Sequence, residues 1–340
     1  TSGGGGVTVT LTGDAEFNGF TVSPNDTLDF NGQRAEFSGT LDNSGNMDID
    51  GALIYAADLN LDSSFDNESG LNAVVMTGAT TFDFGDGELT SGTFMINSTG
   101  TATIGGVTHG GNLLVGCGTL DMNNLSNTFG DVTIATGGTM TAGSGTLTCS
   151  GDFTTSGGLI GKSGLDFDGV ASHVNCGSDS TIDNIFDSGG TVEAWIKPDS
   201  DGENDRGTFA AKVYWLAGLS GESGGKTKLT LTKHFDGDDG KWTTTDTCVD
   251  IGKWNHVAIT YDADAVGNDP IMYVNGKQIA ITEDTTPTGT RNTDASNDLV
   301  LGNYSDGGSS TFDGVIDMIR FFSDIRTESE IRSNMFLLLP

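Results

Sequence analysis

The stretch Gly252–Ala280, GKWNHVAITYDADAVGNDPIMYVNGKQIA, decides how the rest of the chain is read. Trp254, His256 or Val257, Ile259 and Tyr261 form one alternating run, and Ile271, Tyr273 (or Met272) and Val274 form another. Alternation with a period of two marks strands that set one face in a core. An acidic, Gly-containing loop, Asp262–Asp269, separates the runs. The second run ends in Asn275-Gly276, which tolerate positive φ and suit a two-residue type I′ turn into Lys277–Ile281. The stretch reads as an antiparallel meander.

Strand signals continue on both sides of it. Leu165–Phe167 and Val174–Cys176 flank the turn Asp168–Ala171, and Thr191–Lys197 (TVEAWIK) is apolar on both faces, as a central strand would be. Phe209–Leu219, Lys228–Lys233, Leu299–Asn303 and Thr311–Phe322 follow the same pattern. Thr327-x-x-Glu330 is a capping box that opens a short helix to about Met335.

The 340 residues hold 52 Gly and only 5 Pro, a mix that with short apolar runs points to an all-β protein with many tight turns. The charge is lopsided: 15 Lys and Arg against 47 Asp and Glu give −32. Such a field repels nucleic acid and anionic membranes and offers many oxygens to hard cations such as Ca²⁺. Most of these acids also read as an ordinary solvated surface. No signal peptide or apolar membrane span is present, and the FLLLP ending, Phe336–Pro340, reads as part of a longer polypeptide. Cys117, Cys149, Cys176 and Cys248 have no zinc-like spacing. Cys117 and Cys149 fit as small buried hydrophobes, and a Cys176–Cys248 disulfide is left open by the spacing.

Composition breaks near residue 160. Arg34 is the only basic residue before Lys162, and all four Trp residues come later. The domains are read as 1–160 and 161–336, with Ser156–Gly158 as linker. In the first, short strands such as Thr8–Thr12, Thr27–Phe30, Asn46–Ile49, Gly118–Met122 and Asp131–Ile134 recur without a strict period, bounded by Gly, Asn, Asp or Ser. Strands so short are stable when stacked as coils of a β-solenoid, a structural stalk, with Gly and Asn at the corners and Asn or Thr ladders between rungs. The alternative is an irregular sandwich or several small β units. His109 is the only imidazole of this half and reads as a turn residue. The Gly runs Gly3–Gly6 and Gly105–Gly111 lack the Lys and helix of a phosphate loop.

In the second half LDFDG (Leu165–Gly169), TVEAWIKP (Thr191–Pro198), GKWNHVAITYD (Gly252–Asp262), MYVNGKQI (Met272–Ile279), LVLGN (Leu299–Asn303) and FDGVIDMIRFF (Phe312–Phe322) occur in a telling order. With the closing SDIRTESEI they resemble the laminin-G-like, concanavalin A-like jelly-roll family over about residues 164–335. The resemblance implies two antiparallel sheets face to face, neighbouring first and last strands, and binding of glycans or proteins on rim loops or the concave sheet. It also implies a structural Ca²⁺, for which Asp166, Asp168, Asp313 and Asp317 in the two terminal motifs are the candidate ligands. The competing reading makes Asp168 and Asp313 Asx-turn residues before Gly169 and Gly314. Asp236–Asp239 lacks the downstream Glu of an EF-hand loop and reads as a solvated turn.

Glucanases of this fold carry alternating Glu and Asp on one strand, and no such run exists here. Glu193 stands alone, and His256 reads as a packed strand residue. The module is therefore expected to be non-catalytic. Trp195 and Trp254 fall in core motifs, which leaves Tyr214, Trp215, His234 and Trp242, between the strong motifs, as the candidate ligand contacts.

The combination of solenoid and jelly roll resembles fibre, appendage or capsid-decorating virion proteins, and also cell-surface adhesins. The expected setting is extracellular or a virion surface. The expected partner is a glycan or a neighbouring virion or surface-layer protein, with no membrane insertion. Monomeric and homo-oligomeric solenoids read alike. A carbohydrate-binding accessory region of a larger secreted enzyme, or a purely structural subunit, are the competing readings.

Overall fold

The computed structural model describes residues 6–61, 65–66, 73–79, 81–82, 89–104, 110–135, 137–141, 143–144, 146–155, 164–304 and 310–336. His109, most of Gly105–Gly111, Gly3–Gly5 and the linker Ser156–Gly158 lie outside the described residues. Two units divide between Lys162 and Ser163.

The first unit is a β-solenoid, and its corners explain it. LDFNG (Leu28–Gly32), MDIDG (Met47–Gly51) and LDMNN (Leu120–Asn124) repeat one local structure. In each, the Asp carboxylate accepts the backbone N–H two residues on: Asn31 to Asp29, Asp50 to Asp48 and Asn123 to Asp121. This Asx turn swings the chain round, and Asn31, Gly32, Gly51, Asn123 and Asn124 take the left-handed conformation that completes it. The flanking Leu28, Phe30, Met47, Ile49, Leu120 and Met122 point inward and share one core. A buried apolar side chain of this size contributes roughly 1.5–3 kcal/mol, which is how a three-residue strand stays in place.

Successive coils pair in parallel. Partners lie between 18 residues apart, as Met47 opposite Phe65, and 22 apart, as Thr81 opposite Thr103. The strict period missing from the sequence is blurred by register shifts, such as that between Phe37 and Thr40. Phe17 stacks on Phe37 of the next coil with ring centroids 4.9 Å apart. Cys117 is buried and its thiol donates to Asn97 Oδ1, whereas Cys149 is only partly buried and donates to the Gly130 carbonyl. All four cysteines are free, so Cys176 and Cys248 are not joined.

The second unit packs two antiparallel sheets around a common core. The smaller sheet runs Leu165–Asp168, Asp313–Phe322, Gly190–Pro198, Asn255–Tyr261, Ile271–Val274 and Lys277–Ile279. Its first and last long strands in sequence are neighbours, with Asp168 opposite Asp313. The Asn275-Gly276 turn is tight, with φ of 51° and 70°. Trp254, Val257, Ile259 and Val274 are buried, as the alternation requires. The larger sheet runs Val174–Asn175, Val300–Leu301, Gly207–Lys212, Trp215–Ser223, Lys226–Lys233, Gly240–Thr244 and Ile281–Thr285, with Val249–Asp250 beside Lys226–Lys233.

The outer face of the smaller sheet is covered by the capped helix Glu328–Asn334. Trp195 Nε1 donates to the Met335 carbonyl, and Arg320 donates both to Glu193 Oε1 at 3.1 Å and to the Asn334 carbonyl. His256, opposite Trp195 in the ladder, lies 3.8 Å from Glu193 and is fully buried. Burial first, and the Arg320 charge second, push its pKa down to about 3 from 6.5. Burial likewise raises the Glu193 carboxyl.

These shifts set a pH dependence. Below pH 6.5 the unfolded chain protonates His256 while the folded unit does not, so stability falls as pH drops toward 3, by up to about 1.4 kcal/mol per pH unit. Glu193, raised on folding, opposes this in the acid range where the folded state takes up its proton first. Denaturation of a His256→Gln variant between pH 7 and pH 5 should therefore show a flatter stability profile than the parent. Parallel profiles would show that His256 does not set the slope.

Candidate functional site

Among the described residues no α-helix covers the outer face of the larger sheet, and the pleat determines what that face carries. Along Trp215–Ser223 the odd positions Trp215, Ala217 and Leu219 are buried in the core. Along Lys226–Lys233, Leu229 and Leu231 do the same. The alternate residues are left on the outer face. Cross-strand register then sets Thr208, Gly218 and Thr230 in one row, and Leu216, Thr232 and Lys241 in the next. Together with Ser220, Thr285, Tyr304 and Ser310 they line an open groove of about 580 Å³. Gly218 keeps the floor flat: a Cβ there would come within 3.0 Å of the Gly207 carbonyl oxygen.

Charged groups sit at the rim. Asp239 accepts the Phe235 N–H with one oxygen and faces His234 Nδ1 at 2.9 Å with the other. Asp205 accepts the Gly221 N–H, and this bond, followed by Asp201 and then by the charges of Lys241 and Arg206, holds its carboxyl below the usual range. Asn204 and Asp205 are both left-handed, with φ of 54° and 60°. This sharp turn presents Arg206 at the groove. Lys241 lies 3.8 Å from Asp284. Tyr304 is fixed by donating its hydroxyl to the Val213 carbonyl.

The four expected contact residues separate. His234 lines the groove, about one quarter of its side chain exposed (28%). Tyr214 packs edge-on against the His234 ring at 6.3 Å. Trp215 and Trp242 are instead core residues, a correction to their reading as contacts. Both fall on the inward phase of their strands, where Trp242 pairs with Leu231 and Leu231 with Ala217. Their indole N–H groups are satisfied internally, by Asp294 and Asp269. The groove residues Arg206, Thr208, Thr230, Thr232 and Lys241 were not anticipated. For Thr230 and Thr232 the signal is the KTKLTLTK alternation of Lys226–Lys233, in which Leu229 and Leu231 go in and these two threonines face out.

The four candidate calcium ligands do not make a cage for the ion. Ladder pairing sets Asp168 and Asp313 opposite each other, with Asp166 opposite Val315 and Asp317 further along, beside Trp195. Asp168 Oδ1 already accepts the N–H groups of Val170, Ala171 and Ser172 and the Ser172 hydroxyl. These bonds hold its carboxyl far below the usual range, the Ser172 hydroxyl first among them. Asp313 accepts the Ser200 hydroxyl, and Asp317, nearly buried, accepts the Met318 N–H. Among the described residues no three acids, histidines or cysteines converge as a metal site. A Ca²⁺ needs six to eight oxygens, and these residues do not fit it.

Residues 168–332 match the family model of the concanavalin A-like lectin/glucanases superfamily. No curated protein matches the chain. Among solved structures it is similar to the CBM40 of an IT-sialidase from Ruminococcus gnavus bound to α2,3-sialyllactose, at 15% identity over 52% of this chain and 97% of that one, with a TM-score of 0.35. It is also similar to the botulinum neurotoxin serotype D/C binding domain, at 17% identity, 48% and 41% coverage and a TM-score of 0.35. A third is Trypanosoma rangeli sialidase in complex with sialic acid, at 18% identity, 51% and 27% coverage and a TM-score of 0.37. The chain spans less than half of the last two structures.

The carboxylate arrangement gives a direct test. Thermal unfolding of the second unit in the full chain should give the same midpoint, within about 1–2 °C, in EDTA and in millimolar Ca²⁺, because a ligand that binds only the folded state raises it by mass action. A rise of several degrees with Ca²⁺ would reveal a site these residues do not make.

Proposed function

Starting from a second unit that is concanavalin A-like, we propose that this protein is a non-catalytic glycan-binding protein. The saccharide lies across the outer face of the larger sheet, and the solenoid serves as a repetitive carrier on an outer surface, a virion fibre or appendage in particular. The observation that carries the reading is the groove floor. Thr208, Ser220, Thr230, Thr232, Thr285 and Ser310 supply hydroxyls, Leu216 and Tyr304 supply apolar surface, and the volume falls in the small-ligand range of roughly 300–1,000 Å³. Sugars need this mixture, since each ring has hydroxyl edges and apolar faces.

The acids support binding rather than hydrolysis. Glycoside cleavage needs one carboxyl held protonated and a second placed across the bond. Asp205 and Asp239 each accept a backbone N–H, and Asp205 is held toward its ionised form. Glu193, the carboxylate of the strongest motif strand, is buried against Arg320 on the other sheet. The carrier role of the first unit is supported by its coils, which repeat one corner structure and carry almost no basic residues.

A glycan array with the purified chain should find ligands, and a Thr232→Trp variant should lose their binding by at least roughly tenfold, or about 1.4 kcal/mol. Thr232 points out from the middle of the floor, so the unfolding midpoint should hardly move. Binding that survives the substitution, or turnover of any polysaccharide by the parent, would sink the reading.

A further inference from the structure

Cations are scarce in this chain, 15 against 47 acids, and most are consumed internally. Lys212, with no exposed side-chain surface, sits between Asp183 and Asp294. Arg291 bridges Asp187 and Asp264, Arg320 holds Glu193, and Arg332 holds Glu328. Lys233 donates to the Asn292 carbonyl and Lys228 to that of Thr245. Three cations, Lys197, Arg206 and Lys253, make no side-chain ion pair or hydrogen bond among the described residues, and of these Arg206 is the one that lines the groove, exposed on its rim. Lys241, half exposed, approaches Asp284 at 3.8 Å and has no other ion pair or side-chain hydrogen bond among the described residues.

From these two side chains we propose that the groove takes an anionic saccharide, one bearing carboxylate or sulfate, with the acidic group docked between Arg206 and Lys241. This deepens the glycan-binding reading and rests on it. Arg206 follows Asp205 at one end of the groove, and Lys241, in the Leu216–Thr232 row, lines the same groove. The carboxylates at that end are turned to backbone donors, Asp205 to Gly221 N–H and Asp201 to Glu222 N–H. The groove presents to a ligand the Arg206 guanidinium fork and the Lys241 ammonium, with the Asp205 and Asp239 carboxylates beside them. A planar fork pairs with two oxygens of a carboxylate or sulfate at once, and such charge-assisted bonds are about twice as strong as those to a neutral hydroxyl. The strongly negative remainder of the molecule repels the same ligand, so recognition depends on contact with these two cations.

The test is calorimetric titration of the full chain with three probes: oligogalacturonate, a sulfated carrageenan hexasaccharide and uncharged neoagarohexaose. One or both acidic probes should bind, more weakly in 0.5 M than in 0.05 M NaCl. The Arg206→Gln/Lys241→Gln variant should weaken that binding roughly tenfold or more, while Thr232→Trp abolishes it. The carboxylate and sulfate arms identify which anion is taken. Binding of neoagarohexaose as tightly as the acidic probes, unchanged in the double variant but lost in Thr232→Trp, would overturn the anionic ligand and leave the groove standing. Binding of any probe that persists in Thr232→Trp would overturn the groove, and with it this proposal. Failure of all three probes would overturn the anionic ligand, and an array-identified neutral glycan lost in Thr232→Trp would then still uphold the groove.

Discussion

A strand that buries one face in a sandwich has no freedom over where alternate side chains point. In the larger sheet that constraint fixes core and site together. Once Ala217, Leu219, Leu229 and Leu231 go inward, Gly218, Ser220, Thr230 and Thr232 must form the outer floor. A slip of one residue in the pairing of Trp215–Ser223 with Lys226–Lys233 would bury threonines and expose leucines. The register is therefore held by the whole apolar core, and the groove inherits its rigidity. A binding floor built on strands is already organised before a ligand arrives, which lowers the entropy cost of binding.

The smaller sheet obeys the same pleat and has the opposite outcome. Its outer residues Glu193, Trp195, His256 and Arg320 are covered by the Glu328–Asn334 helix, and Trp195 and Arg320 donate to carbonyls at its end. A buried ion pair of this kind adds little net stability against a well-packed apolar alternative. What it does here is fix the helix: the Trp195 and Arg320 donors satisfy carbonyls at its C-terminal end that would otherwise lack partners. With that face closed, the groove lies on the other sheet.

This division explains what could be read in the chain. TVEAWIKP and GKWNHVAITYD are the strongest motifs because nearly every position in them is buried, so they announce the fold and say nothing of the ligand. The Asn275-Gly276 turn, the Thr327–Glu330 capping box and the pairing of the terminal motifs were legible for the same reason: each is a local or core requirement. Aromatic content misled where phase would have served. Trp215 and Trp242 look like sugar platforms by type, but their place in the alternation puts them inside. The four aspartates were misleading in another way. Asp168 and Asp313 do come together, but one oxygen of each is bonded within the fold, and among the described residues no third acid, histidine or cysteine converges on them. In the solenoid the elements were readable and the coil length was not. A bulge takes the offset from 19, Phe37 opposite Ala56, to 18, Thr40 opposite Asp58, and repeated shifts of this size erase a period.

The acidity that first suggested metal binding has a structural use in the corners. Asp29 and Asp48 are register partners on adjacent coils, so their carboxylates lie near one strand spacing, about 4.8 Å, and inside a Debye length of about 8 Å. Two negative charges at that distance repel. Each is nonetheless placed there because its oxygen accepts the N–H that turns the chain, and Asp29 takes a second bond from Thr10. Hydrogen bonds to a charged acceptor are worth about 1.5–3 kcal/mol, more than exposed like charges in water lose to each other. The solenoid corner can therefore stack aspartate on aspartate without a cation between them. In the second unit the balance is reversed: acids such as Asp294 and Glu193 are buried only with Lys212 or Arg320 beside them. The same residue type is thus a turn element where water can screen it and half of an ion pair where it cannot.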